Sequence, residues 1–228
     1  MANIPWEFDR ENGKTLNTYF FSAETILASM EVIMKTERAL KAKRLTGVAV
    51  LLALVIVLQA FGGTIPLGVV QLNFTLVPIV LGALLYGPIV GAFLGFACGV
   101  VVLAQVIAGG NPFYTIIWTN DPIVTTLTCI VKTTAAGFLS GLFVWIFEAP
   151  NDKKTVFIAS GIVPVVNTSL FIIGCLFMSG VYEMAGGENV IKFILVGLVT
   201  FNFFFELAVN LLVAPALHRV IKVIRKIK

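Results

Sequence analysis

The sequence predicts an all-α integral membrane protein, a bundle of six transmembrane helices preceded by an amphipathic N-terminal helix. Of its 228 residues, 58% are hydrophobic and only 12% are charged. A soluble domain of this length would need more charge to cover its surface. From Leu45 to Asn120 there is no charged residue, and that run is far longer than the roughly 20 residues that one spanning helix needs.

Residues 1–44 are predicted to be a cytoplasmic or interfacial extension that contains the amphipathic helix. Apolar residues recur at helical spacing from Leu16 to about Arg44, and the charged residues fall largely elsewhere around the helix. This pattern is typical of a helix that lies on the membrane surface. A mobile tail that becomes helical only on lipid or on a partner is the alternative. We expect no signal peptide, because the start of the chain has no early apolar core.

Residues 45–228 are predicted to form the transmembrane domain. Its six segments are expected at Leu45–Gly63, Pro66–Tyr86, Pro88–Ala108, Pro122–Phe147, Thr155–Val181 and Val190–His218. Proline and glycine near the start of the second segment indicate that its outer part is a loop, with regular helix beginning nearer Leu72.

Lysine and arginine predict the orientation in the membrane. They cluster before the first segment, between the fourth and fifth, and after the sixth, whereas Lys192 stands alone on the opposite side. With an even number of spans, both termini are expected in the cytoplasm, in a multi-pass protein of the cell (plasma) membrane. The outward loops are then Gly62–Gln71, Gly109–Asn120 and Tyr182–Asn189.

Polar side chains within the apolar segments are the first candidates for a functional site. Lys132 and Glu206 are both expected near the middle of the bilayer, where a charge costs ~2.5–3.5 kcal/mol. Asn202, Glu206 and Asn210 are four residues apart and share one helix face. They predict either a hydrophilic ligand pocket or a structural ion pair of Lys132 with Glu206, with asparagines that tie helices together. Asn210, nearest the cytoplasm, is assigned to helix packing.

Aromatic and amide residues in the second outward loop are further candidates. Asn111, Trp118 and Asn120 offer a stacking face and hydrogen-bonding groups, although membrane-interface belt residues have the same composition. Asp121 is expected to cap the helix that follows it. The complete set predicted to bind substrate is Asn73, Gln105, Asn111, Trp118, Asn120, Lys132, Asn167, Asn202 and Glu206.

The sequence offers little for catalysis. His218 is the only histidine, and Cys98, Cys129 and Cys175 have no metal-ligand or disulfide spacing. We therefore expect no catalytic residue, no metal and no cofactor. The chain also has no Gly-x-x-x-x-Gly-Lys-Ser/Thr phosphate loop, so any ATP hydrolysis would belong to partners.

Several motifs resemble the substrate-binding (S) components of energy-coupling factor (ECF) vitamin transporters. From Asn73 to Gly99 an apolar helix with a proline is followed by a Gly-Pro turn and a Gly-x-x-x-Gly helix. Ala49 and Ala53 form an Ala-x-x-x-Ala motif in the first span, and a glycine-containing fourth helix runs from Lys132 to Gly141. The resemblance covers about Arg44 to Lys228.

The resemblance implies a function. An S component binds a vitamin or related micronutrient from outside, then associates with a membrane coupling subunit and two ATPases that drive release inside. It also implies that Ala49 and Ala53 contact the coupling subunit. Lys132 favours a ligand with an anionic group. A stand-alone solute carrier and, with less support, a membrane enzyme are the alternatives.

Overall fold

The computed structural model describes residues 10–62, 66–67, 70–71, 74–109, 112–147, 152–187 and 189–226. This part of the chain is helical apart from one short antiparallel pair of strands. The elements are α1 (Arg10–Gly62), β1 (Pro66–Leu67), β2 (Val70–Gln71), α2 (Leu76–Tyr86), α3 (Pro88–Ile107), α4 (Pro112–Asn120), α5 (Pro122–Phe147), α6 (Lys153–Leu176), α7 (Ser179–Ala185), α8 (Val190–Lys192), a π-helix (Phe193–Val199) and α9 (Thr200–Lys226).

The chain divides into two compact units, one ending at Thr46 and the other comprising Gly47–Lys228. In the first unit the helix begins at Arg10, earlier than the predicted start at Leu16. Its surface carries an ion pair between Glu37 and Lys41, 3.6 Å apart, at the i,i+4 spacing that stabilises helices. Apolar side chains such as Ile33 are exposed on the same unit.

Five helices among the described residues are long and apolar enough to cross a membrane. They are Ile33–Phe61, Pro88–Ile107, Pro122–Phe147, Lys153–Leu176 and Asn202–Ile224. The second predicted span differs, because α2 has only 11 residues and therefore measures about 16 Å. That is about half of the ~30 Å hydrocarbon core. Regular helix starts at Leu76, four residues later than predicted, and the short strands β1 and β2 precede it.

The last two predicted spans also have different ends. The fifth was predicted to reach Val181, but α6 ends at Leu176 and a separate short helix, α7, follows. The extended backbone of Met178 causes this break, and Gly186, in the left-handed conformation, ends α7. The sixth was predicted from Val190, where α8 and the π-helix lead into α9. The second predicted outward loop is therefore helical over Pro112–Asn120, and the third begins within α7, whereas the first contains the strands β1 and β2.

The turn between α2 and α3 is as tight as the sequence predicts. Gly87 alone separates the two helices, with a positive φ of 95° that an L side chain rarely adopts. Pro88 then occupies the first turn of α3, where its missing N–H is not needed.

The largest helix–helix interface lies between α3 and α5. Gly91, Gly95 and Gly99 repeat every four residues along the face of α3 that meets α5. A Cβ atom added at these positions would press against the backbone carbonyl oxygens of Gly137, Thr133 and Cys129, respectively. The two backbones thus touch, which is the close approach that small residues permit in membranes.

We predict that Gly95→Ala destabilises the protein, because the added methyl group meets the backbone of Thr133 and not a movable side chain. Overpacking of this kind costs ~1–3 kcal/mol or more, so the thermal midpoint of the detergent-purified protein should fall by ~5 °C or more.

Gly161→Ala is the matched control for this substitution. A Cβ at Gly161, also within a membrane helix, would meet nothing nearer than Leu211 Cδ2 at 3.9 Å. An equal loss of stability in both variants would show that the α3–α5 contact is not specially tight.

Candidate functional site

The polar row on α9 is buried. Asn202, Glu206 and Asn210 are 8%, 7% and 1% exposed, respectively. The Nδ2 of Asn210 donates to the carbonyl oxygen of Glu206 at 2.9 Å, so this side chain is partly satisfied by its own helix. The Oδ1 atoms of Asn202 and Asn210 accept no hydrogen bond within the described part of the chain.

Asn167 adds a third amide of this kind on α6, which packs against α9. Its side chain is 5% exposed, and its Oδ1 also has no hydrogen-bond partner among the described residues. A buried polar atom without a partner costs ~1–3 kcal/mol. Amide acceptors on two neighbouring helices can therefore bind donors of a polar ligand with a net gain.

Lys132, on α5, is half-buried and lies against an aromatic side chain. Its Nζ is 4.8 Å from the ring centroid of Phe171 on α6, within the range of a cation–π interaction. Phe171 in turn packs edge-on against Phe113 of α4, with ring centroids 6.3 Å apart. This aromatic contact connects the lysine to the short helix α4.

Lys132 and Glu206 both lie near the buried thiol of Cys98. The thiol of Cys98, on α3, lies in the field of both the lysine ammonium and the Glu206 carboxylate. The thiols of Cys129 and Cys175 also interact with Lys132. All three cysteines are unpaired and buried. The two charges that the sequence predicts near the bilayer middle therefore act on the same part of the bundle.

A second buried polar cluster joins α1, α2 and α3. Gln59 Nε2 donates to Gln105 Oε1 at 2.9 Å, and Gln105 Nε2 donates to the backbone oxygen of Gln59 at 3.0 Å. The hydroxyl of Thr75 donates to Gln59 Oε1 at 3.3 Å and lies 3.1 Å from the Cys98 sulfur. These groups form hydrogen bonds with one another, whereas the side-chain oxygens of the asparagines on α6 and α9 have no such partner among the described residues.

Two short helices, α4 and α7, pack against each other beside this bundle. Asp121 was expected to cap α5, but its Oδ2 instead accepts from Ser179 Oγ at 2.8 Å and from the Gly180 N–H at 3.1 Å. Asn120 Nδ2 donates to Glu183 Oε2 at 3.0 Å. The carboxylate of Asp121 thus stabilises the start of α7, because it lies at the positive end of that helix.

The buried face of α4 points into the bundle. Phe113, Tyr114 and Ile117 are almost wholly buried. Burial raises the pKa of the Tyr114 phenol, so it stays neutral at physiological pH. The region predicted as an outward loop is therefore a helical cover whose apolar side packs on the transmembrane helices.

The predicted substrate-binding residues fall into four groups. Asn167, Asn202 and Glu206 are buried on α6 and α9, and Lys132 lies against Phe171. Gln105 belongs to the Gln59 cluster. Trp118 is half-buried against the core, and Asn120 is exposed and contacts Glu183. Asn73 and Asn111 lie outside the described residues.

Phe171, which contacts Lys132, and Thr75, which contacts Gln59, were not predicted from the sequence. Phe171 lies four residues after Asn167, so helical periodicity could have placed it on the same face. Thr75 is a lone hydroxyl just before an apolar helix, a signal that is too common to be selective. Among the described residues, no group of three or more His, Cys, Asp or Glu side chains could hold a metal ion.

Ala49 and Ala53 lie on the outer face of α1. Ala49 and Ala53 are exposed, whereas Leu51, Val55 and Gln59 are buried. The two alanines are therefore exposed to a neighbouring helix, and small side chains at this spacing permit close approach.

The chain was compared with models of protein families. Residues 43–218, more than half of the chain, match the family model described as ECF transporter, substrate-specific component. Comparison with curated proteins gives no match.

We predict that Asp121→Ala loosens α7 without unfolding the bundle. The substitution removes two hydrogen bonds to a carboxylate, each worth ~1.5–3 kcal/mol. Hydrogen–deuterium exchange of the α7 amides should accelerate by ~10-fold or more. Asp152→Ala is the control, because Asp152 precedes α6 without a side-chain capping hydrogen bond. Equal exchange in α7 for both variants would contradict the assignment of Asp121.

Proposed function

Because the chain belongs to the family of substrate-specific components of ECF transporters, we propose that it captures a vitamin or related micronutrient from outside the cell. It then delivers the ligand inward together with a membrane coupling subunit and two ATPases. The family consists of transport proteins and not of enzymes. The observation that carries the proposed site is the set of unsatisfied amide oxygens on α6 and α9 beside two charged groups in an apolar bundle.

We place the ligand among α5, α6 and α9. Asn167 and Asn202 supply acceptors for its donors, and Glu206 adds a buried acidic group. Lys132 binds an anionic group of the ligand, while the ring of Phe171, which holds the ammonium from one side, offers an apolar face. A charge in the membrane is costly unless it is paired or faces a polar cavity, and a polar ligand meets that requirement.

The remaining predicted ligand residues contribute from the outer side. Trp118 and Phe113 both lie on α4. Because Phe113 contacts Phe171, movement of α4 would be felt at the proposed ligand site. We call α4 and α7 together the cover. The contact of Asp121 with α7 holds α4 and α7 together over the site. Asn73, Asn111 and Asn120 complete the proposed set, whereas Gln105, predicted to bind substrate, is bonded to Gln59 and is left to that cluster. Opening of this cover admits the ligand from outside.

The proposed topology has six crossings with both termini in the cytoplasm of a cell-membrane protein. In it, α2 crosses together with the strands that precede it, because α2 alone is too short. The positive residues at the ends of α6 and α9 then face the cytoplasm. Residues 1–44 form an extension on that side, and the exposed apolar side chains near its end suit a membrane surface.

We assign the exposed face of α1 that carries Ala49 and Ala53 to contact with the coupling subunit. Ala49 and Ala53 lie opposite the buried face of the same helix, so a partner helix can approach them without disturbing the bundle. Two methyl side chains at this spacing allow close backbone contact.

We predict that Ala53→Trp abolishes capture of the coupling subunit, because the indole would hold the partner's helix away from α1. Co-purification of the tagged protein with co-expressed coupling subunit and ATPases measures this, and ligand bound to the isolated protein should be unchanged.

Leu54→Trp is the matched control, since Leu54 lies at the same depth, is 43% exposed and points ~100° away around the helix. Capture that survives Ala53→Trp, or that both variants lose equally, would contradict the assignment of this face.

We predict that Lys132→Met reduces the amount of small molecule that co-purifies with the protein by at least ~30-fold. Truncating one partner of a buried hydrogen-bonded charge pair costs ~2 kcal/mol or more. Mass spectrometry of molecules released from the gently purified protein measures the loss.

Lys192→Met is the control, because Lys192 is an exposed lysine at the start of the segment leading to α9. A micronutrient retained equally by Lys132→Met and Lys192→Met would remove Lys132 from the site while leaving the transport function in place.

A further inference from the structure

A groove between α6 and α9 has a composition that the proposed transport function does not use. It encloses about 410 Å³ and is lined by Lys153, Phe157, Pro215, His218, Arg219 and Lys222. Three of the six residues carry a positive charge, one is a histidine, and no acidic side chain is among them. Such a groove attracts an anion.

A second groove lies between the same two helices and shares Phe157 as a wall. It is a shallow, open groove of about 450 Å³, and every residue that lines it is apolar, among them Gly161, Val165, Leu207 and Leu211. Gly161 has no side chain, and the nearest atom to a Cβ there would be 3.9 Å away, so the surface is open at this residue. The surface therefore changes from basic to apolar along one continuous path.

The dimensions of this path fit one leaflet of a bilayer. Lys153 and Val165 are twelve residues apart on α6, which corresponds to about 18 Å. Half of the hydrocarbon core is ~15 Å thick. The basic end lies where the predicted membrane-spanning parts of both helices end, which is the depth of the lipid headgroups.

From this arrangement we infer that the α6–α9 groove binds an anionic phospholipid. Lys153, Arg219 and Lys222 hold the phosphodiester of the headgroup, and one acyl chain lies along Gly161 against Leu207 and Leu211. A soluble phosphate compound would use only the basic end, and an uncharged lipid would use only the apolar end. The bound lipid would fix α6 relative to α9, the two helices that carry Asn167 and Asn202.

Native mass spectrometry with an equimolar mixture of dioleoyl phosphatidylglycerol and dioleoyl phosphatidylcholine tests the inference. The wild-type protein should retain phosphatidylglycerol over phosphatidylcholine. Lys153→Gln/Lys222→Gln should weaken this retention ~30-fold, because each basic residue near the surface contributes about one kcal/mol of attraction. The double variant Lys154→Gln/Lys192→Gln removes the same charge from residues that do not line the groove, and should stay within about twofold of wild type.

Gly161→Leu tests the apolar half with every charge kept. The backbone neighbourhood has room for the new Cβ, so the variant should fold, yet its side chain fills the path of the acyl chain and phosphatidylglycerol should be lost. Equal losses in the two double-lysine variants, or full retention by Gly161→Leu, would overturn the inference.

Two further outcomes would reassign the groove. Competition by glycerol phosphate at the same concentration as the lipid would make the basic end a site for a soluble phosphate. If phosphatidylglycerol is not retained and capture of the coupling subunit instead needs Lys153 and Lys222, the groove is a protein interface and the lipid assignment is wrong.

Discussion

The contact between the backbones of α3 and α5 is the constraint on which the rest of the bundle depends. Gly91, Gly95 and Gly99 remove the side chains that would otherwise separate the two helices. This brings Cys98 of α3 close enough to interact with Lys132 on α5. Lys132 therefore lies beside the tight contact of α3 with α5. Because lipid supplies no hydrophobic force between membrane helices, close packing of this kind holds the bundle together.

The polar groups inside this packed framework differ in whether they form hydrogen bonds within the chain. Around Gln59 and Gln105 each donor finds an acceptor within the chain, as a buried structural network requires. On α6 and α9, by contrast, amide oxygens are buried without partners among the described residues. Burial without compensation destabilises a protein. The Gln59 cluster satisfies itself and the second group does not, which is why we propose that Asn167 and Asn202 bind a ligand.

The sequence predicts the helical class, the tight Gly87-Pro88 turn and the glycine face of α3, since these follow from local residue chemistry. It also predicts the burial of Asn167, Asn202 and Glu206 on their helices. The helices α4 and α7 could not be read from it, because they are stabilised by contacts between distant residues, such as Asp121 with Ser179. For the same reason Phe171 was missed, since its contact with Lys132 depends on how α5 and α6 meet. The positions of Asn73 and Asn111 remain predictions.

We propose above all that the unsatisfied amide oxygens of Asn167 and Asn202 bind the transported molecule. A cryo-electron microscopy structure of the protein with its co-purifying ligand, in complex with a binder that adds mass, tests this most directly. We expect ligand density within about 3.2 Å of the side-chain oxygen of Asn167 or Asn202, with an anionic group facing Lys132. Ligand density confined to another part of the chain, with these asparagines bonded to each other or to ordered water, would contradict it.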